Sequence, residues 1–314
     1  MISNNSARNI SVVGVPSFFG QSHCGVGLAP QALRQAGLIE QLRGLGLAVK
    51  DCGDLGLNGP AEKVSGGCRL NLRNLAAVAA LSEILYRFLD KIMGRQNSLP
   101  LILGGDHSIS IGSIAAIAPY FKNLGVIWFD AHPDLNSPET SPSGNIHGMS
   151  LAVSLGIGHP RLVEIGGMRQ KIKPENVVII GARAIDGGEA ALIERKGIKL
   201  FSAADVRSLG MREVMRRTIS HLGRCDGIHL SLDLDAVDPK AAPGVGTPVP
   251  GGILPAETKT AMEILNEAGL LTSAEIVELN PKLDKRNKTV LKAITLASLL
   301  LQNRPKGREN RRAN

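Results

Sequence analysis

Short apolar runs alternating with helix-length segments predict an α/β protein, a three-layer α/β/α fold with a largely parallel central sheet. Two observations carry this. Strands and helices alternate at the spacing of βαβ units, which gives a parallel sheet covered on both faces. Three of the apolar runs also end abruptly in acidic or imidazole residues, and parallel α/β sheets place their ligands at the carboxyl ends of strands. The 314 residues are 43% hydrophobic and 20% charged, with no linker-like stretch, and read as one domain over 1–314.

Ile10 to Val15 is the first buried strand, ended by Pro16, and a Gly-rich loop follows from Gly20 to Leu28. The Gly25-Val26-Gly27 in it lacks the further glycine and acid of a dinucleotide site, and reads as a loop closing over a site or as a turn. Pro30 opens a helix through Ala36, and Leu47 to Val49 is a weak second strand. Asn71 to Met93 is an amphipathic helix, with Leu75, Val78, Leu81, Leu85, Phe88 and Ile92 on one stripe and Gly94 as its cap. Leu101 to Leu103 is a strand, and Ser108 to Ala118 a helix. Val126 to Phe129 leads into a long loop, Pro133 to Asn145, and a helix after His147. Val177 to Ile180, Lys199 to Phe201, Ile228 to Leu232 and Ser273 to Val277 are the remaining strands. Gly187 to Lys196, Pro255 to Ala268 and Arg286 to Leu301 are the remaining helices, and Asp238 to Pro255 is Pro/Gly-rich loop.

The formal charge is +8, and a short basic tail from about residue 304 holds five basic residues against one acid between Arg304 and Arg312. Such a tail can bind nucleic acid or anionic lipid; here it reads as a frayed, soluble terminus. Nine aromatic residues in the whole chain offer no stacking platform for bases, so no nucleic-acid partner is expected. No apolar run reaches membrane-spanning length, and Met1 to Arg8 lacks a signal core. Cys24, Cys52, Cys68 and Cys225 form no C-x-x-C and read as reduced packing residues of a cytoplasmic protein.

The chemistry concentrates at three strand ends. Asp130-Ala131-His132-Pro133-Asp134 follows Val126 to Phe129. Alternate residues of an extended chain share a face, so Asp130, His132 and Asp134 can project together. Alone they fit a metal site or a hydrogen-bonded structural cluster. Gly104-Gly105-Asp106-His107-Ser108 and Ser231-Leu232-Asp233-Leu234-Asp235 end two further runs and favour the metal. His107, Asp130, His132, Asp134, Asp233 and Asp235 are the candidate ligands, with Asp106 a group that orients one of them. A donor set of carboxylate and imidazole without thiolate favours Mn²⁺ or a Mg²⁺-like ion, with Zn²⁺, Fe²⁺ or Co²⁺ also possible. Six groups suit two ions, and a two-ion site points to hydrolysis.

These motifs, together with Ile276-Val277-Glu278-Leu279-Asn280-Pro281, resemble the ureohydrolase family from the first strand to the last helix. The loop Asn136 to Gly148, with Ser143-Gly144-Asn145-Ile146-His147-Gly148, is similar to that of its arginase branch. The resemblance implies hydrolysis of L-arginine to L-ornithine and urea by a hydroxide bridging two Mn²⁺ ions. It implies Asp130 and Asp233 as bridging ligands, His107 and Asp134 on one ion, and His132 and Asp235 on the other. Asp134 would pass a proton to the leaving amine, His147 would shuttle protons to solvent, and Glu278 would orient the guanidinium. Asn136, Ser143 and Asn145 would hold the α-carboxylate, with Ser141 a weaker candidate. Asp186 and Glu189 would lie near the α-amino group, and Thr247 would line the pocket. A homo-oligomer, trimer or hexamer, is likewise implied. The chain departs from the family pattern at Ala184 and Gly187, where an acid and a proline are common.

Each role has a plainer alternative: His147 as a hydrogen-bonded structural residue, Glu278 as a capping acid, Asp238-Pro239 as a turn. His23, His159, His221 and His229 lie outside the motifs and read as structural. The competing functions are a relative acting on agmatine, guanidinobutyrate or formiminoglutamate, and a non-catalytic metal-binding regulator.

Overall fold

The computed structural model describes residues 9–56, 72–94 and 98–302. The N-terminal octet, Cys68, the expected helix start at Asn71 and the basic tail lie outside them. The chain runs β1 (Asn9–Val15), α1 (Ala29–Gln35), α2 (Leu38–Gly44), β2 (Ala48–Asp54), α3 (Leu75–Met93), β3 (Ser98–Gly104), α4 (Ser110–Ile117) and β4 (Leu124–Phe129). It continues with α5 (Ser150–Ser154), α6 (Pro160–Val163), β5 (Val177–Ile180), α7 (Gly187–Lys196), β6 (Lys199–Phe201), α8 (Ala203–Leu209) and α9 (Met211–His221). β7 (Gly227–Asp233), α10 (Pro255–Ala268), β8 (Leu271–Val277) and α11 (Lys288–Leu301) complete it.

The eight strands form one sheet in the order β2-β1-β3-β8-β7-β4-β5-β6, and every pairing is parallel. Parallel neighbours need long crossovers, which the helices supply. Alternation along each strand sends side chains to two layers. Ile127 and Phe129 pack with residues of α1, α2 and α8 to α11, whereas Val126 and Trp128 pack with α4, α5 and α7. α3 closes the second face over β1 and β3 with Leu81, Leu85, Leu89 and Ile92. β4 and β7 are buried at every residue. No helix of the described residues is long and apolar enough to cross a membrane.

The strands and the long helices stand where the sequence predicts, with three kinds of difference. First, α2, α6, α8 and α9 are additional to the predicted helices. Signals for two of them exist: Ser202 and Asp205 form a capping box before α8, and Met211, Val214, Met215 and Thr218 make the buried stripe of α9. Second, β2 continues through polar residues to Asp54, because it is an edge strand paired only with β1. Third, two helices start late. Asn74 is left-handed at φ 52°, so α3 begins at Leu75, and Arg286 and Asn287, at φ 55° and 56°, hold α11 back to Lys288.

For function the sheet order matters most. β3, β8, β7 and β4 are consecutive neighbours at its centre. Leu103 pairs with Ile276, Ile276 with Leu232 and Leu232 with Phe129, so the four strands end together on one edge.

Candidate metal centre

That edge gathers the three motifs. His107 follows β3 and is fully buried. Its ring lies flat on Trp128, with centroids 4.1 Å apart and planes 3° apart. Its Nδ1 stands 3.1 Å from one carboxylate oxygen of each of Asp130, Asp134 and Asp233. Across the site, His132 Nδ1 lies 3.0 Å from Asp235 Oδ2 and 3.5 Å from Asp130 Oδ1. Two trios therefore have ligand atoms within 4.8 Å of one another: His107, Asp130 and Asp233, then Asp130, His132 and Asp235. Asp130 belongs to both.

Local backbone geometry aims these groups. Asp233 Oδ1 accepts the Asp235 N–H at 2.7 Å and caps the turn after β7. Asp130 Oδ1 accepts the His132 N–H at 2.7 Å. Asp134 has φ 51°, a left-handed conformation unfavourable for a non-glycine residue. Its carbonyl accepts two N–H groups at the start of α5, from Leu151 and Ala152, which hold it there. Glu278 is likewise strained at φ 62° and is pinned by its N–H to the Gly105 carbonyl. Of the five non-glycine residues at positive φ among those described, two are these site acids, as expected where strain serves position.

Four carboxylates and two imidazoles share this buried space. Burial and the neighbouring Asp130 charge push the Asp134 carboxyl up to about 6. Burial together with the charges of Asp235 and Asp130 pushes Asp233 well above the usual carboxylate range, and burial with Asp130 raises Asp235. Burial opposes ionisation of Asp130 too, but His107 and His132 outweigh it and hold that carboxyl low. Burial disfavours the His132 imidazolium, yet Asp235 and Asp130 raise it to about 12. The acids exceed the imidazoles, and buried Asp130 Oδ2 receives no well-directed hydrogen bond among the described residues, only the approach of His107 Nδ1 at 3.1 Å. A hard divalent cation meets both the excess charge and this oxygen, so the residues fit such a metal.

Above the trios opens a cleft of about 570 Å³, walled by His132, Asp134, Asn136, Ser141, Ser143, Asn145, His147, Arg183, Asp186, Glu189 and Thr247. A larger hollow, about 800 Å³, lies along the β2 edge and touches none of the six candidate metal ligands. All the site residues expected from sequence thus converge, with Glu278 buried just beneath. Several are already engaged. Asn136 Nδ2 donates to Asp186 Oδ2 at 2.8 Å, and its Oδ1 accepts from Thr140 at 2.9 Å. Both Glu189 oxygens accept backbone N–H groups, from Leu135 and Asp186, each at 2.9 Å. Burial pushes the Glu189 carboxyl up to about 7. Thr247 Oγ1 donates to Asp235 Oδ2 at 3.0 Å. Ser143 Oγ accepts the Asn145 N–H at 3.2 Å, and Asn145 Oδ1 has no partner among the described residues. His147 Nδ1 lies 3.0 Å from Glu278 Oε1, which also accepts the His107 N–H at 2.8 Å. Asp106 orients no ligand directly; its carboxylate binds Ser17 and the Gly20 and Ser108 N–H groups and tethers the Gly20 loop. Asp238 binds the N–H groups of Lys240, Gly251 and Gly252 and fastens its loop.

Two residues of the site carry no role in the sequence reading. Arg183 donates to the carbonyls of Gly181, Asp235, Ala236 and Val249, stitching β5 to the loop after β7. Gln21, from the Gly-rich loop, donates through Nε2 to Glu278 Oε2 at 2.7 Å. Only the glycines of that loop hint at a role. Losing one hydrogen bond to a buried carboxylate costs about 1.5–3 kcal/mol. Gln21→Leu is therefore expected to lower kcat/KM at least tenfold (about 1.4 kcal/mol) with metal content unchanged, as measured by steady-state kinetics and elemental analysis on one preparation.

Comparison with known proteins agrees with the geometry. The model of the Arginase family matches residues 8–302. An arginase from Bacillus subtilis (strain 168) is 52% identical over 294 residues, covering 94% of this chain and 98% of its own length. The native structure of arginase from Bacillus caldovelox superposes with a TM-score of 0.91 at 52% identity, over 94% of this chain and 99% of that one. An Entamoeba histolytica arginase, solved in complex with L-ornithine, superposes with a TM-score of 0.86 at 36% identity, over 94% and 98%. The sheet order, the paired His/Asp trios and these matches lead to one conclusion: the chain belongs to the arginase family.

Proposed function

We propose that this chain hydrolyses L-arginine to L-ornithine and urea, as a single catalytic domain over 1–314. We further infer a cytoplasmic homo-oligomer, trimer or hexamer, that uses two Mn²⁺ ions, with Co²⁺ or another divalent ion able to replace them. The observation that carries the reading is the pair of trios sharing Asp130 beneath a cleft rimmed by Asn136, Ser143 and Asn145. The relatives named arginase, one of them holding L-ornithine, support the substrate.

His107, Asp134, Asp130 and Asp233 would hold one ion, and His132, Asp235, Asp130 and Asp233 the other. When bound, two such ions supply Lewis acidity and an acidified water. The chain does the rest. Glu278 accepts the guanidinium: Gln21 uses one lone pair of Oε2 and leaves another. Asp134, buried at the cleft floor, carries a proton to the leaving amine. Ser143 and Asn145 face the α-carboxylate, and Asn136 holds the loop through Asp186. Asp186 lies near the α-amino group, Glu189 beside it adds negative charge above about pH 7, and Thr247 forms the wall beside Asp235.

His147 joins buried Glu278 to the cleft and is positioned by its N–H to the Gly20 carbonyl. Burial alone would lower its imidazolium, but Glu278 outweighs this and raises it to about 9. Below that pH the ring stays protonated and cannot collect another proton; near it the ring exchanges protons with solvent. Turnover is therefore expected to rise toward alkaline pH. His147→Ala should flatten the profile and depress kcat by about 10²–10⁴-fold, the usual contribution of a general acid–base group, while metal content holds. A rate maximum in the acid range would contradict the shuttle.

Urea release from L-arginine, agmatine and guanidinobutyrate, with ammonia release from formiminoglutamate, tests the substrate in one panel with Mn²⁺ present. Arginine should exceed the others by orders of magnitude; agmatine as the best substrate would overturn the reading.

A further inference from the structure

A buried polar chain runs from the metal centre back into the sheet. His107 Nε2 lies 2.7 Å from Ser231 Oγ. Ser231 Oγ donates to Glu275 Oε1 at 2.6 Å, and Ser113 Oγ donates to Glu275 Oε2 at 2.5 Å. His229 Nε2 stands 3.4 Å from Glu275 Oε1, and its Nδ1 lies 2.9 Å from Ser273 Oγ. The parallel register of β7 and β8 builds the chain, setting Ser231 opposite Glu275 and His229 opposite Ser273. Ser231, Glu275 and His229 have no solvent exposure. A carboxylate inside a sheet is costly unless paired, and the hydrolysis itself has no use for this one.

The donors fix the direction of every bond. A carboxylate only accepts. Ser231 gives its single proton to Glu275, so toward His107 its oxygen can only accept. His107 Nε2 must then carry hydrogen, and Nδ1 is the nitrogen facing Asp130, Asp134 and Asp233. A metal takes the lone pair of that nitrogen, and the partner of the other nitrogen decides which tautomer is present. We propose that Glu275, acting through Ser231, is a positioning residue that holds His107 in the Nε2–H tautomer and so sets the affinity of the ion His107 ligates. The inference rests on the two-ion reading of the site. An amide at 275 removes the charge and brings a donor, which allows Ser231 to turn its proton toward His107 and present the wrong tautomer to the metal.

The test is calorimetric titration of metal-stripped protein with Mn²⁺ alone, for the wild type, Glu275→Gln and Ser231→Ala. The amide is isosteric; the serine variant is a smaller lesion that cuts the same chain should the first fail to fold. One of two sites is expected to weaken by about 10–100-fold, the usual effect of losing a ligand's outer partner. The site built on His132 should be unchanged, because the chain does not touch it. A general structural defect would weaken both together. Equal loss at both sites, or no loss at either, in the folded variants overturns the proposal while leaving the metal centre standing. A wild-type chain that binds no Mn²⁺ overturns the metal centre and the proposal with it.

Discussion

Replacing Asp130 by Ala is expected to remove both ions and with them urea release. Asp130 is the one residue common to the two trios. It is fully buried at the end of β4, and its two oxygens diverge: Oδ1 faces His132, Oδ2 faces His107. An alanine leaves each trio one ligand short and leaves His107 and His132 without the carboxylate between them. Loss of a single well-placed electrostatic group costs about 10²–10³-fold; loss of a group proposed to hold both ions should reach at least that. Elemental analysis should show fewer than one ion per chain. Asp235→Ala is the contrast, because it touches only the second trio: one ion should remain. Two ions retained by Asp130→Ala would show that the trios are not the metal sites.

The second large effect concerns substrate choice. Arginine and agmatine share the guanidinium, so the groups proposed to meet it, Glu278 and the ions, cannot separate them; only the α-carboxylate differs. A site built to hydrogen-bond a group rejects the analogue lacking it, since buried partners are left unpaired. Exposed Ser143 and half-buried Asn145 line the cleft; the amide oxygen is the buried end of Asn145, which leaves its N–H₂ as the donor toward the cleft. Asn136 acts at one remove, its amide taken by Asp186 and Thr140. Charge-assisted hydrogen bonds contribute about 1.5–3 kcal/mol each. Losing two corresponds to about 10²–10⁴-fold. Replacing Ser143 and Asn145 by Ala should lower kcat/KM for arginine by that amount and hardly alter agmatine. Asn136→Ala should fall between, through a loosened loop. Equal losses on both substrates would show that this loop does not read the carboxylate.

The parts legible in the sequence are those whose chemistry is local. A D-x-H-x-D at a strand end announces itself, because the spacing that brings its side chains together is in the chain. The sheet is legible for the same reason: buried strands are short apolar runs. What stays hidden depends on contacts between distant segments. Gln21 meets Glu278 across 257 residues, in a loop whose only pattern is glycine. His229 reads as an ordinary structural histidine because Ser273 and Glu275 reach it only through the pairing of β7 with β8. Glu189 has a local signal with two meanings: the Asp186-to-Glu189 spacing that resembles a substrate site is also that of a capping box, and Glu189 accepts the Asp186 N–H as in such a box.

The most direct test of the account is to strip the protein of metal, add Mn²⁺ back stepwise, and measure bound manganese and urea release from L-arginine on the same samples. Urea release should be absent at the start, rise with manganese, and level off at two ions per chain. Full urea release from protein shown by elemental analysis to contain no transition metal would contradict it.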